Sequence, residues 1–143
     1  MHIKIKRFDT TLPLPSYKSP GAVCVDLCAR LETVIQPQSI GYIPLNVALE
    51  IPEGSSVLMA ARSSLHKAGL MAANGIGIFD WDFKGDNDEY QFIAYNFTQE
   101  AVTIERGQRI AQIMAMKQEK ITFEEVEKMG ALDRGGIGST GKH

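Results

Sequence analysis

The segment Ala61-Arg-Ser-Ser-Leu65 places a guanidinium and two hydroxyls where an apolar run gives way to a short helical turn. Backbone N–H groups at such a junction, the hydroxyls of Ser63 and Ser64, and a bidentate contact from Arg62 together make an anion site. Capping of the turn would use the same serines. Further on, Asn74-Gly-Ile-Gly-Ile-Phe-Asp-Trp-Asp-Phe-Lys-Gly85 sets Gly75 and Gly77 beside the carboxylates of Asp80 and Asp82. Those glycines let backbone approach a planar ligand closely, and Asp80 is placed to take a proton from a water. A solvated turn with scattered acids fits the same residues, and Asp86, Asp88 and Glu89 are read that way. In Gly107-Gln-Arg-Ile-Ala-Gln112, period-two alternation puts Gln108, Ile110 and Gln112 on one face and Arg109 and Ala111 on the other. Gln112 is then a polar amide in an apolar strand, open to a ligand or to a neighbouring backbone. Last, Arg134-Gly-Gly-Ile-Gly-Ser-Thr-Gly-Lys-His143 offers many backbone N–H groups, two hydroxyls and a guanidinium to phosphate oxygens, or serves as a plain Gly-rich terminus.

The elements that must position these residues read mostly as short strands. His2–Phe8, Val23–Ala29, Ser39–Ile51, Ser56–Ala61, Tyr90–Phe97, Ala101–Glu105 and Arg109–Met116 are alternating or β-branched runs bounded by turn residues. Ser63–Gly69 has a Ser start and a Gly stop, enough for about two helical turns. Ile121–Val126 reads as a further strand, although Thr122 and Glu125 also fit a capping box. Many short strands at intervals of about 8–12 residues suggest a sandwich or jelly roll rather than βαβ units.

The chain has 143 residues, 44% of them apolar, and a formal charge of −2. That is one domain with a sizeable core, expected over residues 1–129 and followed by a flexible Gly-rich arm over 130–143. The acidic balance argues against a general nucleic-acid partner. No run approaches the roughly 18 apolar residues of a membrane helix, and the first residues alternate charge, so a cytoplasmic or otherwise intracellular protein is expected. Cys24 and Cys28 have too few companion ligands for zinc and are expected to be buried free thiols.

Taken in order, Gly21–Ala29 with Asp26, Arg62–Leu65, Asn74–Gly85, Gly107–Gln112 and Arg134–Gly141 resemble the five motifs of the trimeric deoxyuridine triphosphatase (dUTPase) family. The resemblance implies an all-β distorted jelly roll with one short helix, assembled as a homotrimer whose sites draw on more than one subunit. It implies Mg²⁺-dependent hydrolysis of dUTP to dUMP and pyrophosphate, by in-line attack of water on the α-phosphorus. By position, Asp80 would orient and deprotonate that water. Asn74, with the backbone around Gly77, would read the uracil edge in a hairpin too close for a 5-methyl group. Phe83 would pack on the deoxyribose. Arg62, Ser63, Ser64 and Gln112 would contact phosphates, and Asp26 would hold Mg²⁺ through its water shell. Arg134, Ser139 and Thr140 would close over the β- and γ-phosphates, with Ile137 as the apolar lid.

The chain departs from the family pattern at four places. Phe83 stands where Tyr is common, and the fifth motif is two residues shorter with Ile137 in place of a stacking Phe. The link after Gly85 is about three residues longer, and Trp81 replaces a smaller residue. The last two carry no assigned role. Deoxycytidine triphosphate deaminase is similar in fold and in its Arg-Ser-Ser segment, but needs a glutamate on the strand after the third motif, where this chain has Gln91-Phe-Ile-Ala-Tyr95. A nucleotide-binding trimer with weak or lost catalysis is the other alternative.

Overall fold

The computed structural model describes residues 1–133, 135 and 136. Among the described residues, eleven strands and one four-residue 3-10 turn form the distorted all-β jelly roll expected. One sheet runs β2 (Val25–Cys28), β11 (Arg109–Lys117), β6 (Ser55–Ala61), β8 (Gly77–Phe79), and a second runs β4 (Ile40–Pro44), β9 (Gln91–Asn96), β7 (Leu70–Ala72). Two further pairs, β1 (Lys4–Arg7) with β5 (Val47–Glu50) and β3 (Thr33–Ile35) with β10 (Val102–Ile104), close the flanks. Every pairing is antiparallel.

Strand β9 alternates as its sequence suggests, turning Phe92, Ala94 and Asn96 inward and Gln91 outward. β6 turns Val57 and Met59 to its buried face, while β11 and β8 pair along its two edges. Each such apolar side chain contributes about 1.5–3 kcal/mol on burial. The buried Asn96 is fully matched. Its Nδ2 donates to the carbonyls of Ile35, Gln36 and Glu100 at 3.0, 3.2 and 2.7 Å, and its Oδ1 accepts from Thr98 N and Oγ1.

Several sequence expectations are corrected. The run Ser39–Ile51 is two strands, broken at Asn46, which takes a left-handed backbone (φ 69°) that Asn tolerates better than apolar residues. The helix is a single 3-10 turn, Leu65–Ala68, stopped by Gly69 at φ 78°. Strands β3 and β7, three residues each, are not among the expected strands, although Thr33-Val34-Ile35 is β-branched throughout. The third-motif segment is not a hairpin ladder: β7 pairs with β9 and β8 with β6, so the turn at 73–76 joins two sheets. Residues 121–126 form no strand. Ile121 and Phe123 are 75% and 89% exposed, and no partner strand among the described residues takes up their backbone groups. Cys24 and Cys28 are free but only half-buried, with burial pushing the Cys28 thiol pKa up.

The first loop is fastened by Asp9. The Thr11 hydroxyl and then the Arg106 guanidinium hold its carboxyl well below the usual carboxylate range. With a folded-state pKa below the unfolded one, this contribution is complete above about pH 4 and is lost as pH falls below that. Asp9→Asn should therefore lower stability at pH 7 and reduce the further loss on acidification. Urea midpoints at pH 7 and pH 3 check this; an equal loss in both chains contradicts it.

Candidate functional site

The sequence-predicted residues gather in two places. The first is the β2–β11–β6 end of the larger sheet. A register shift between Arg109 and Ala111 inserts a bulge into β11, so that Ile110 and Ala111 are both fully buried instead of alternating. Beyond the bulge, Gln112 lies opposite Asp26 on one side and Ala60 on the other. Its Nε2 donates to Ala61 O at 2.9 Å, so a neighbouring backbone carbonyl satisfies part of the amide.

Asp26 is the centre of this group. Arg62 Nε lies 3.1 Å from its Oδ1 and Arg109 Nη1 3.0 Å from its Oδ2, while Asp26 itself keeps only 13% side-chain exposure. Two cations around one carboxylate leave a local excess of one positive charge in a chain of net −2. Arg109, absent from the sequence-based site set, is thus part of it; its place between Gly107 and Gln112 was the available signal. Ser63 and Ser64 follow directly and are both exposed. Ser64 stands at the N-cap of the 3-10 turn with no side-chain capping bond, so capping does not occupy its hydroxyl.

The second place is a cavity of about 450 Å³ beside β8, lined by Asn74, Gly77 and Phe83 together with Tyr42, Met59 and Phe79. A Cβ on Gly77 would meet Met59 Cε at 3.2 Å and Phe79 at 3.3 Å, so glycine is what leaves the floor open. Phe83 is held by an aromatic group: Phe79 and Tyr90 stack at 3.8 Å and 7°, and the Phe83 ring lies 6.0 Å from each. Burial pushes the Tyr90 phenol pKa up to about 12, and its hydroxyl has no partner among the described residues. Trp81 packs against the core with Lys84 Nζ 5.0 Å from its ring centre. Asp80 directly follows β8, is exposed, and its carboxylate has no hydrogen-bond partner among the described residues.

The structure does not bring the two places together on one chain. Asp26 and β8 are three strand spacings apart, about 14 Å. Asp80 lies further along, because Phe79 pairs with Val57 while Gln112 pairs with Ala60 at the opposite end of β6. Arg134, Ile137, Ser139 and Thr140 lie outside the described residues. The acids read as scattered are each engaged: Asp86 with Lys6, Asp88 with Gly85 N, and Glu89 with Arg30.

Among the described residues no three His, Cys, Asp or Glu side chains cluster to cage a metal. The donor set at Asp26, one carboxylate, fits a cation that keeps its waters and takes its other ligands from a phosphate chain, as Mg²⁺ does. No helix is long and apolar enough to cross a membrane.

Comparisons with known proteins agree with this architecture. The chain is 38% identical over 143 residues to the SPbeta prophage-derived deoxyuridine 5′-triphosphate nucleotidohydrolase of Bacillus subtilis (strain 168), covering 99% of both chains. It is 34% identical to the deoxyuridine 5′-triphosphate nucleotidohydrolase of Dictyoglomus turgidum, again over 99% of each. The crystal structure of a dUTPase from Streptococcus mutans superposes with a TM-score of 0.75 at 25% identity, covering 83% of this chain and 98% of that one. A Staphylococcus bacteriophage 80alpha dUTPase with dUPNHPP shares the fold at a TM-score of 0.83 and 20% identity, over 98% of each chain. The dUTPase family model matches residues 10–141. With the Asp26, Arg62 and Gln112 group and the Asn74–Phe83 cavity both inside that span, the chain belongs to the dUTPase family.

Proposed function

We propose that the protein is a dUTP diphosphatase, hydrolysing dUTP to dUMP and pyrophosphate. The observation that carries this is that the family-matched chain holds both an arginine-flanked carboxylate at Asp26 and a cavity lined by Asn74, Gly77, Phe79 and Phe83, with the exposed Asp80 next to Phe79 in sequence. Asn74 and the Gly77 backbone read the uracil edge, and Phe83 bears on the deoxyribose. Asp80 accepts a proton from the water that attacks the α-phosphorus; the new O–P bond forms as the bond to the bridging oxygen breaks, and the electron pair leaves with pyrophosphate. Arg62, Arg109, Ser63, Ser64 and Gln112 gather the phosphate oxygens. Bound Mg²⁺ would neutralise charge on the triphosphate, and Asp26 would anchor it through water.

The separation of the Asp26 group from Asp80 supports a homotrimer in which one subunit supplies the base cavity and another the phosphate group. Residues 1–129 form the domain and 130–143 the arm, with Arg134, Ser139 and Thr140 on the distal phosphates and Ile137 over the base. Truncation after Asp133 should lower kcat/KM for dUTP by about 100-fold or more, since it removes the charge-assisted contact of Arg134 together with the hydroxyls of Ser139 and Thr140; an unchanged rate would remove the arm from the site. β9 carries no carboxylate, which disfavours deamination of dCTP. An intracellular location accords with a nucleotide substrate.

Pyrophosphate release from dUTP, dTTP, dCTP and UTP, with and without EDTA, tests the reading. Release from dUTP that EDTA stops is expected; none above a no-enzyme control overturns it, and ammonia from dCTP would replace it with deamination.

A further inference from the structure

The loop between Phe83 and β9 is built rather than trailing. Glu89, its side chain 10% exposed, accepts from Arg30 Nε and Nη2 at 2.8 Å each and from the backbone N–H of Asn46 at 2.9 Å. Both partners are themselves fixed. Arg30 N donates to Pro44 O at 2.7 Å, and Asn46 exchanges two hydrogen bonds with the backbone of Asp9. At the other end, Asp88 Oδ2 accepts from Gly85 N at 2.6 Å, drawing the loop into a closed turn. Asn87, Asp88 and Glu89 line the cavity together with Asn74, Gly77 and Phe83. Tyr90, next in sequence, carries the ring that supports Phe79 and Phe83.

We propose that Glu89, clamped by Arg30, is a positioning residue that holds Asn87 and Asp88 as a second wall of the nucleotide cavity. The wall would confine the nucleoside and leave the hydrolytic water at Asp80 untouched. This rests on the cavity being the deoxyuridine site. A bidentate guanidinium–carboxylate pair fixes both distance and plane, which a single hydrogen bond does not, so it suits a wall whose position sets a fit. An ion pair serving only the fold would act on stability and leave affinity alone.

Calorimetric titration of the full-length protein with dUpNHpp separates the two, since stoichiometry reports the folded fraction and Kd reports the wall. Glu89→Gln should raise Kd about tenfold at unchanged stoichiometry, and kcat for dUTP should stay within about twofold. Glu89→Gln combined with Arg30→Met should be no worse than Glu89→Gln alone, because both remove one clamp. Asp88→Ala, on the outer turn and clear of the buried pair, should fold as the parent does and raise Kd about threefold. Unchanged Kd in Glu89→Gln and Asp88→Ala overturns the proposal, as does a fall in stoichiometry with Kd unmoved. A parent chain that binds dUpNHpp without hydrolysing dUTP would defeat the proposed reaction and leave the wall standing; one that does not bind dUpNHpp defeats both.

Discussion

Asp80→Asn is expected to lower kcat for dUTP by about 10²–10⁴-fold, the usual worth of a positioned proton acceptor, while dUpNHpp binds with an unchanged Kd. The substitution keeps the shape of the side chain and removes its basicity. Asp80 is exposed at the end of β8 and has no hydrogen-bond partner among the described residues, so the fold should barely register the change, within about 0.5 kcal/mol. Loss of turnover with intact binding then isolates the chemical step. Single-turnover hydrolysis and calorimetry on the same preparation provide both numbers. Turnover within tenfold of the parent would mean that the proton goes elsewhere, and Asp82, two residues on, would be the next carboxylate to examine.

Asp26→Asn should reduce kcat/KM about 100-fold at limiting Mg²⁺ and shift the Mg²⁺ dependence of the rate to higher concentration by a similar factor. In the free chain this carboxylate is engaged by Arg62 and Arg109 at 3.1 and 3.0 Å. A cation alone must compete with both guanidiniums, whereas a triphosphate draws them onto its own oxygens and releases Asp26. The metal and the nucleotide should accordingly bind far better together than separately. Asparagine removes the charge at the centre of that exchange. Stability should change by less than about 1 kcal/mol, because both arginines are partly exposed and solvent screens their repulsion. Equal Mg²⁺ dependence in the two proteins would show that Asp26 plays no part in holding the ion.

The sequence displayed most of the strands and, of the polar residues in the two groups, Asp26, Arg62, Gln112 and Asn74, because period-two burial and Gly-bounded turns are local properties. β9 is an example: its inward Phe92, Ala94 and Asn96 are readable without the fold. What it concealed depends on contacts between distant segments. The bulge that buries Ile110 beside Ala111 answers to the register of Cys28 and Leu27, some 80 residues earlier, and alternation alone gives the wrong face. Asn46 looked like one polar residue in an apolar run, yet its left-handed backbone and its bond to Glu89 divide two strands. Glu89 looked like a solvated acid because Arg30, 59 positions away, is invisible in sequence windows. Arg109 joined the site for the same reason. Residues 121–126 erred in the opposite sense, since their alternation is real but the strand that would pair with them is missing from the described residues.

The wide separation of Asp26 from its partner on β11, 83 positions along the chain, also orders events during folding. The base cavity draws many of its residues from the stretch between Met59 and Ile93, whereas the phosphate group needs the two ends of the domain to meet. Closing so long a loop carries an entropy cost that only the completed sheet repays. A nascent chain still lacking Arg109–Lys117 thus has no partner for Asp26 on that side and no Gln112 beside it. The capacity to grip a polyphosphate therefore arrives last, when β11 inserts between β2 and β6 and the jelly roll is finished.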